Sequence, residues 1–347
     1  MTIKFRDFIK LANLFYKSVG LQPFEYLDGQ LQLKLLPKNL IFYLVMTNVN
    51  MQLLAQIIFT VSALINKNFE EGIMTMSYIG FLCVSNYKMI SVSFKKQALT
   101  KFMLELQELF PVTREQQDLY QLRRYERRCT RISTSYSLLY MILIWTYNLF
   151  AIMQYLIYDY WLQLRQVGKA LPYFMYVPWD WHEHWSYYLL YVLENAGGYA
   201  SAACQVASDL LLTATATQII MHFDYVTRTV EAYSPGQNGR DSVFLQRIIS
   251  LSDDMNDIFG VSILLNFITS AFVICFVGFQ MTIGVTTDTL LKLLLFLVSS
   301  IAQVYLICDS AQELITAVSS DEIFISVSYL LQISYKFFAL IRTIYKN

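Results

Sequence analysis

Between Tyr176 and Tyr188 the chain reads YVPWDWHEHWSYY, and Asp180, His182, Glu183 and His184 within it are residue types that ligate a divalent metal. Zinc helices place two such ligands at i and i+4, as in His-Glu-x-x-His, so that both share a face. His182 and His184 are i and i+2, and on a helix they diverge. An extended loop would align them but brings no third ligand, because His222 lies at the far end of another apolar run. The rings explain the stretch better. Trp179, Trp181, Trp185, Tyr187 and Tyr188 are amphipathic and favour a membrane–water boundary, so the segment is expected to form an aromatic lid at a membrane surface. With no nucleophile–base pair and no Gly-rich phosphate loop in the chain, the reading is a non-enzyme without cofactor or metal.

Ionisable residues inside apolar runs are informative because a charge in hydrocarbon costs at least ~2.5 kcal/mol. Glu194 lies near the outer end of its run, where it serves a ligand pocket or is solvated; Asp209 lies deeper and suits a hydrogen bond or ion pair between helices. Lys88, near the inner end of another run, is expected to reach the headgroups along its stem. Tyr147, Phe150, Gln154 and Tyr158 repeat at i, i+3, i+7 and i+11, one helical face. Together with Met76, Tyr78, Phe81, Tyr191 and Asn195 they form a candidate wall for a small apolar ligand, ordinary packing being the competing reading. The last residues, LLQISYKFFALIRTIYKN, carry Ser328, Gln332, Tyr335 and Arg342 at helical spacing, with Phe338 between them. Lipid cannot satisfy such a stripe. It is either glue between helices, with Arg342 and Lys346 reaching water, or the wall of a hydrated conduit built from several copies and constricted at Phe338 or a neighbour.

The elements that must position these residues are legible from composition. At 347 residues the chain is 56% hydrophobic and 15% charged, with a mean hydropathy of +0.41, whereas soluble proteins carry about a quarter charged residues. The bilayer is the expected solvent. A net charge of zero and the absence of a basic groove argue against nucleic acid. Of five cysteines, Cys83, Cys204, Cys275 and Cys308 lie in apolar runs as small hydrophobes, so no disulfide framework is expected. The opening MTIKFRDFIKLANLFYKSVG mixes charge with apolar residues and does not read as a cleaved signal peptide. Seven apolar runs, near 39–64, 72–94, 133–160, 187–222, 259–284, 290–314 and 322–345, each provide the roughly 20 residues that cross about 30 Å of hydrocarbon. The fourth is too long for one span and should continue as a helix beyond the membrane or bend at Gly197–Gly198. Basic residues gather before the first run and between the second and third, from Lys95 to Arg131, which places the amino terminus in the cytoplasm and the carboxyl terminus outside. The expected fold is an all-α membrane protein of seven transmembrane helices forming one domain, 1–347, with 1–38 a cytoplasmic segment. A G-protein-coupled receptor would face the other way; here YERRC precedes the third run instead of following it, and Asn-Pro-x-x-Tyr is missing from the last. A secondary transporter would show internal repeats and paired broken helices.

The residues also resemble a known family. The ending ISYKFFALIRTIY is similar to the Ser/Thr-Tyr-x-x-Phe-x-Leu-hydrophobic-Arg ending of insect odorant receptors. PYFMYVPWDW followed by YYLLYVLENAGGYASAACQVASDLLL looks like that family's outer loop and fourth helix, and DIFGVSILLNFITSAFVICFVGFQM and KLLLFLVSSIAQVYLICDSAQELI resemble its fifth and sixth. A gustatory receptor would end in Thr-Tyr-x-x-x-x-x-Gln-Phe, which is not matched. The resemblance implies a ligand-gated, nonselective cation channel in the plasma membrane of olfactory neurons, a tetramer formed with a co-receptor subunit. It implies a pocket for small volatile odorants in the outer half, and a pore lined by the last helix, on which Gln332, Tyr335, Phe338, Ile341 and Arg342 fall. One departure stands out: DSAQELI passes through TAVSSDE almost directly into the last run. A segment on the order of 40 residues in the family's layout, which forms the cytoplasmic anchor between subunits, is thereby reduced to a short connection.

Overall fold

The computed structural model describes residues 2–25, 38–163, 169–181, 184–232, 238–283 and 287–319. Inside a bilayer an apolar run must pair every backbone amide internally, and a helix does so within one segment. The described residues accordingly form helices: α1 (Phe5–Phe8), α2 (Lys10–Ser18), α3 (Lys38–Ile65), α4 (Phe69–Phe94), α5 (Lys96–Leu109), α6 (Arg114–Leu119), α7 (Leu122–Gln154), α8 (Ser186–Ala232), α9 (Asn238–Ile283) and α10 (Thr287–Ser319). Past Gln154, α7 continues as a π-helical stretch, Tyr155–Trp161.

Among the described residues, five helical segments are long and apolar enough to cross a membrane: Leu40–Ile65, Leu122–Trp161, Ser186–Thr229, Val243–Thr282 and Leu290–Ala317. They cover the first and third to sixth apolar runs. The second run is helix α4, of spanning length but less apolar, with Asn86 and Lys88 along it. The last run, 322–345, lies outside the described residues.

Helix α8 is the axle of the bundle. It packs against α2, α3, α4, α7, α9 and α10, and 94% of its apolar window is buried, against 28–39% for the other four spans. Its sequence explains this position. Gly197, Gly198, Ala200, Ser201, Ala202 and Ala203 present so little side chain that neighbouring helices approach closely. Of the two expectations for this overlong run, continuation as a helix is what the structure adopts: α8 runs through its paired glycines without interruption. Those glycines serve approach instead: a Cβ on Gly198 would lie 2.6 Å from the Tyr173 hydroxyl, and one on Gly197 would collide with the Gln52 amide. At the other end of the bundle α1 and α2 turn the apolar faces of Phe5, Phe8, Ala12, Phe15 and Tyr16 inward, and α2 docks on α8.

Candidate functional site

Two features of the bundle interior could do chemistry or recognition: an ion-paired hub at mid-helix and an aromatic cavity beside it. The hub centres on Asp209 of α8. Lys88 of α4 donates to its Oδ1 at 2.6 Å and Asn266 of α9 does so at 3.1 Å, while Tyr136 of α7 and Gln303 of α10 donate to its Oδ2 at 3.0 and 2.8 Å. Four helices thus send a donor to one carboxylate on a fifth. The expected inter-helix role of Asp209 is what the geometry shows. The expectation for Lys88 is corrected: instead of reaching the headgroups it is 1% exposed, because a carboxylate within reach inside the bundle offers the ammonium better compensation than a stretched stem does.

The cavity lies between α3, α4, α7, α8 and α10, with a volume of about 40 Å³. Its walls are Tyr78 and Phe81 from α4, Tyr147 from α7, Phe296 from α10 and Tyr173 from the loop before α8, with Gln52 and Gln56 of α3 as its amides. The rings interlock edge to face. Tyr78 meets Tyr147 and Tyr173 at 80–85° with centroids 5.9 and 5.5 Å apart, an arrangement worth ~0.5–1.5 kcal/mol per pair beyond burial. Gln52 is occupied, donating to the Leu193 carbonyl at 2.6 Å. Gln56 is 3% exposed, and its Oε1 has no hydrogen-bond partner among the described residues. Phe81 and Phe296 also border a second, smaller cavity of about 10 Å³ that reaches Tyr140 and, from the hub, Asn266 and Gln303. Two rings therefore separate the aromatic cavity from the charged centre.

The loop before α8 is more than a surface lid. Tyr173 inserts into the bundle, its backbone N–H donating to Glu194 at 3.2 Å and its hydroxyl to Asn148 Oδ1 at 3.1 Å. Burial raises its phenol above the ordinary range, with Tyr78 and Glu194 adding to the effect, so the hydroxyl stays a donor. Phe174 stacks on Phe59, and the Tyr176 N–H donates to the Ala55 carbonyl at 3.1 Å. Glu194, 1% exposed, is a loop anchor and not a solvated group. Trp179 and Trp185 remain exposed, as boundary rings would. His182 and Glu183 lie outside the described residues.

Of the residues singled out from sequence, Tyr78, Phe81 and Tyr147 line the cavity. Phe150 sits instead under the Lys292 ammonium, 3.9 Å from its ring centroid. Tyr191 belongs to a separate cluster with Ala151 and Tyr187, donating its hydroxyl to the Asn148 carbonyl, and Asn195 donates to the Tyr191 carbonyl at 2.6 Å. Met76 and Tyr158 are exposed, and Gln154 is half-buried. The single face traced through Tyr158 is broken by the π-helical stretch, whose wider turn shifts everything beyond Gln154. Gln332, Tyr335, Phe338, Ile341 and Arg342 lie outside the described residues. Sequence reasoning missed Gln52, Gln56, Tyr173 and Phe296; a polar amide inside the first apolar run is the one signal it had for them.

A family model described as 7tm Odorant receptor matches residues 68–340. This chain belongs to that odorant receptor family. Among curated relatives, Odorant receptor 85c and Odorant receptor 85b of Drosophila melanogaster are 41% and 42% identical, each match covering 97% of this chain and 99% or 98% of the relative. The first match runs over 386 residues, 39 more than this receptor contains. The fold is that of the insect olfactory receptor OR5 from Machilis hrabei, with a TM-score of 0.78 at 14% identity over 94% of this chain and 84% of the other. The same OR5 in complex with eugenol superposes with a TM-score of 0.77 at 15% identity, covering 89% and 80% of the two chains. As an odorant receptor, the protein is a multi-pass membrane receptor of olfaction and not an enzyme.

Proposed function

We propose that this receptor binds a small, largely apolar volatile molecule in the cavity walled by Tyr78, Tyr147, Tyr173 and Phe296, and that with a co-receptor subunit it gates a nonselective cation channel in the plasma membrane of olfactory neurons. The convergence of those rings on the unpartnered Gln56 Oε1 carries the binding half: an apolar wall with one orienting polar group is what such a ligand requires. The eugenol-bound OR5 supports it by fold. As it stands, the cavity holds no more than a few waters, so the rings must part on binding. Their edge contacts are worth about 1 kcal/mol each, whereas a ligand burying ~200 Å² regains about 5 kcal/mol.

The amino terminus lies in the cytoplasm in this reading, supported by the basic residues between α4 and α7. Seven spans follow from counting α4 and the run 322–345 with the five apolar helices, which puts the carboxyl terminus outside and Gln332, Tyr335, Phe338, Ile341 and Arg342 along the pore. The cytoplasmic anchor between α10 and that last run is shortened.

Thermal unfolding of the purified receptor in lipid nanodiscs tests the pocket independently of conduction, because any ligand of the native state raises Tm. Small esters, ketones, phenols and matched hydrocarbons are expected to do so. Gln56→Leu is expected to weaken the phenols, whose hydroxyl can donate to Gln56 Oε1, about three- to tenfold, the value of one hydrogen bond, and to spare the esters, ketones and hydrocarbons, which carry no donor. If no compound shifts Tm, or the variant weakens both classes equally, the site is elsewhere.

A further inference from the structure

At the amino-terminal end of α7, Arg123, Arg124, Arg127, Arg128 and Arg131 line a single groove of about 790 Å³, closed on the other side by Tyr305 and Asp309 of α10. Basic residues scattered through a loop would orient a membrane protein equally well; these converge on one concavity. Arg128 is committed, paired with Asp309 at 3.0 Å and with Glu313. The other four are exposed on α7 and form no ion pair among the described residues. Asp118 is the remaining acid at the groove.

The second observation is what the groove leads into. Continuing along the exposed face of α7 from Arg127 and Arg131, the next large side chains are Leu138, Ile142 and Trp145, all exposed. On α10 the exposed Val298, Ile301 and Tyr305 run down to Asp309 in the same way. The Arg128–Asp309 pair sets the two helices level, so both change from apolar to charged at one height. Seven residues separate Arg131 from Leu138, a rise of about 10 Å, comparable to the depth of one headgroup layer plus its ester region. A cationic concavity beside two exposed apolar helix stretches matches an amphiphile with a polyanionic head.

We propose that this groove is a site for a phosphoinositide-type phospholipid, its phosphorylated headgroup held by Arg123, Arg124, Arg127 and Arg131 and its acyl chain lying along Leu138, Ile142 and Ile301. Arginine suits the task because its planar fork binds phosphate oxygens in pairs. The site goes beyond odorant binding and does not depend on it.

Three probes test it on the purified full chain in uncharged detergent: dioctanoyl phosphatidylinositol 4,5-bisphosphate, dioctanoyl phosphatidylcholine and free inositol 1,4,5-trisphosphate. The bisphosphate lipid is expected to bind at least tenfold tighter than either of the others, with an affinity that falls as salt is raised. Replacing Arg123, Arg127 and Arg131 together by Gln is expected to cost about a hundredfold, and Arg127→Gln alone about fivefold, with the thermal midpoint in phosphatidylcholine unchanged. Equal binding of the two lipids would overturn the proposal. So would free inositol trisphosphate binding as tightly as the lipid, since it would leave the exposed apolar stretches of α7 and α10 without a role, or affinity retained by the triple variant.

Discussion

Asp209 accepts from Lys88, Tyr136, Asn266 and Gln303, and each donor comes from a different helix. A buried pair of this kind contributes little net stability relative to apolar residues of the same shape, but removing one partner strands a charge at a cost of about 3–5 kcal/mol. Asp209→Asn is therefore expected to lower the thermal midpoint of the purified receptor steeply and to reduce its surface level. Lys88→Met combined with Asp209→Asn is expected to recover most of the lost stability, because neither charge then remains and the amide oxygen still accepts from the neighbouring donors. If the double variant is as unstable as the single, packing around position 209, and not the unpaired lysine, sets the cost. The hub also shares the small Phe81–Phe296 partition with the aromatic cavity, so a ligand that moves those rings acts next to the bond network tying five helices together.

At the scale of elements, α8 carries the architecture through its small residues, and two glycines with opposite surroundings test that claim. In an open helix, Gly→Ala gains up to about 1 kcal/mol of propensity. Gly278 of α9 has nothing within 4 Å of an added Cβ, so Gly278→Ala is expected to stabilise the receptor by nearly that amount. At Gly198 the same methyl meets the Tyr173 ring, with contacts of 2.6 to 3.1 Å, and overpacking of this kind costs ~1–3 kcal/mol. Gly198→Ala is expected to be destabilising on balance, and to expel Tyr173 from the cavity wall. Chemical unfolding of both variants measured side by side checks the signs; a stabilised Gly198→Ala would mean that the loop yields at no cost. The π-helical stretch after Gln154 is the second device at this scale: Tyr147 precedes it and lines the cavity, whereas Tyr158 lies within it and is exposed.

For the whole molecule, assembly is the property most exposed to this receptor's length. Its match to Odorant receptor 85c runs 39 residues beyond its own total, and α10 is still helical at Ser319, the last described residue, with only a few residues left before the last apolar run. Placing the difference in the anchor leads to a direct expectation. Co-expressed with the co-receptor, this chain should give weak or no odour-evoked current, whereas a version carrying the corresponding segment of a relative between α10 and residue 322 should conduct. Equal currents at equal surface levels would show that the anchor is dispensable.

That long helices cover the apolar runs follows from composition, because the bilayer leaves the backbone no alternative to internal hydrogen bonds; α3 and α10 could be read nearly to their ends, whereas α7 and α9 begin at Leu122 and Asn238, well before the runs at 133 and 259, and α8 continues past 222 to Ala232. The fate of Asp209 as an inter-helix tether was also legible, since a carboxylate that deep needs a partner. What only the tertiary structure decided is which partners meet. Lys88 looked free to reach the headgroups until α8 placed Asp209 2.6 Å from it. Tyr173, on a loop, and Gln56 and Phe296, on helices far apart in the chain, became one cavity only through packing. Helical periodicity reports the face of a single element; the angle and register at which elements cross depend on side chains from both partners, and that information is not local in the sequence.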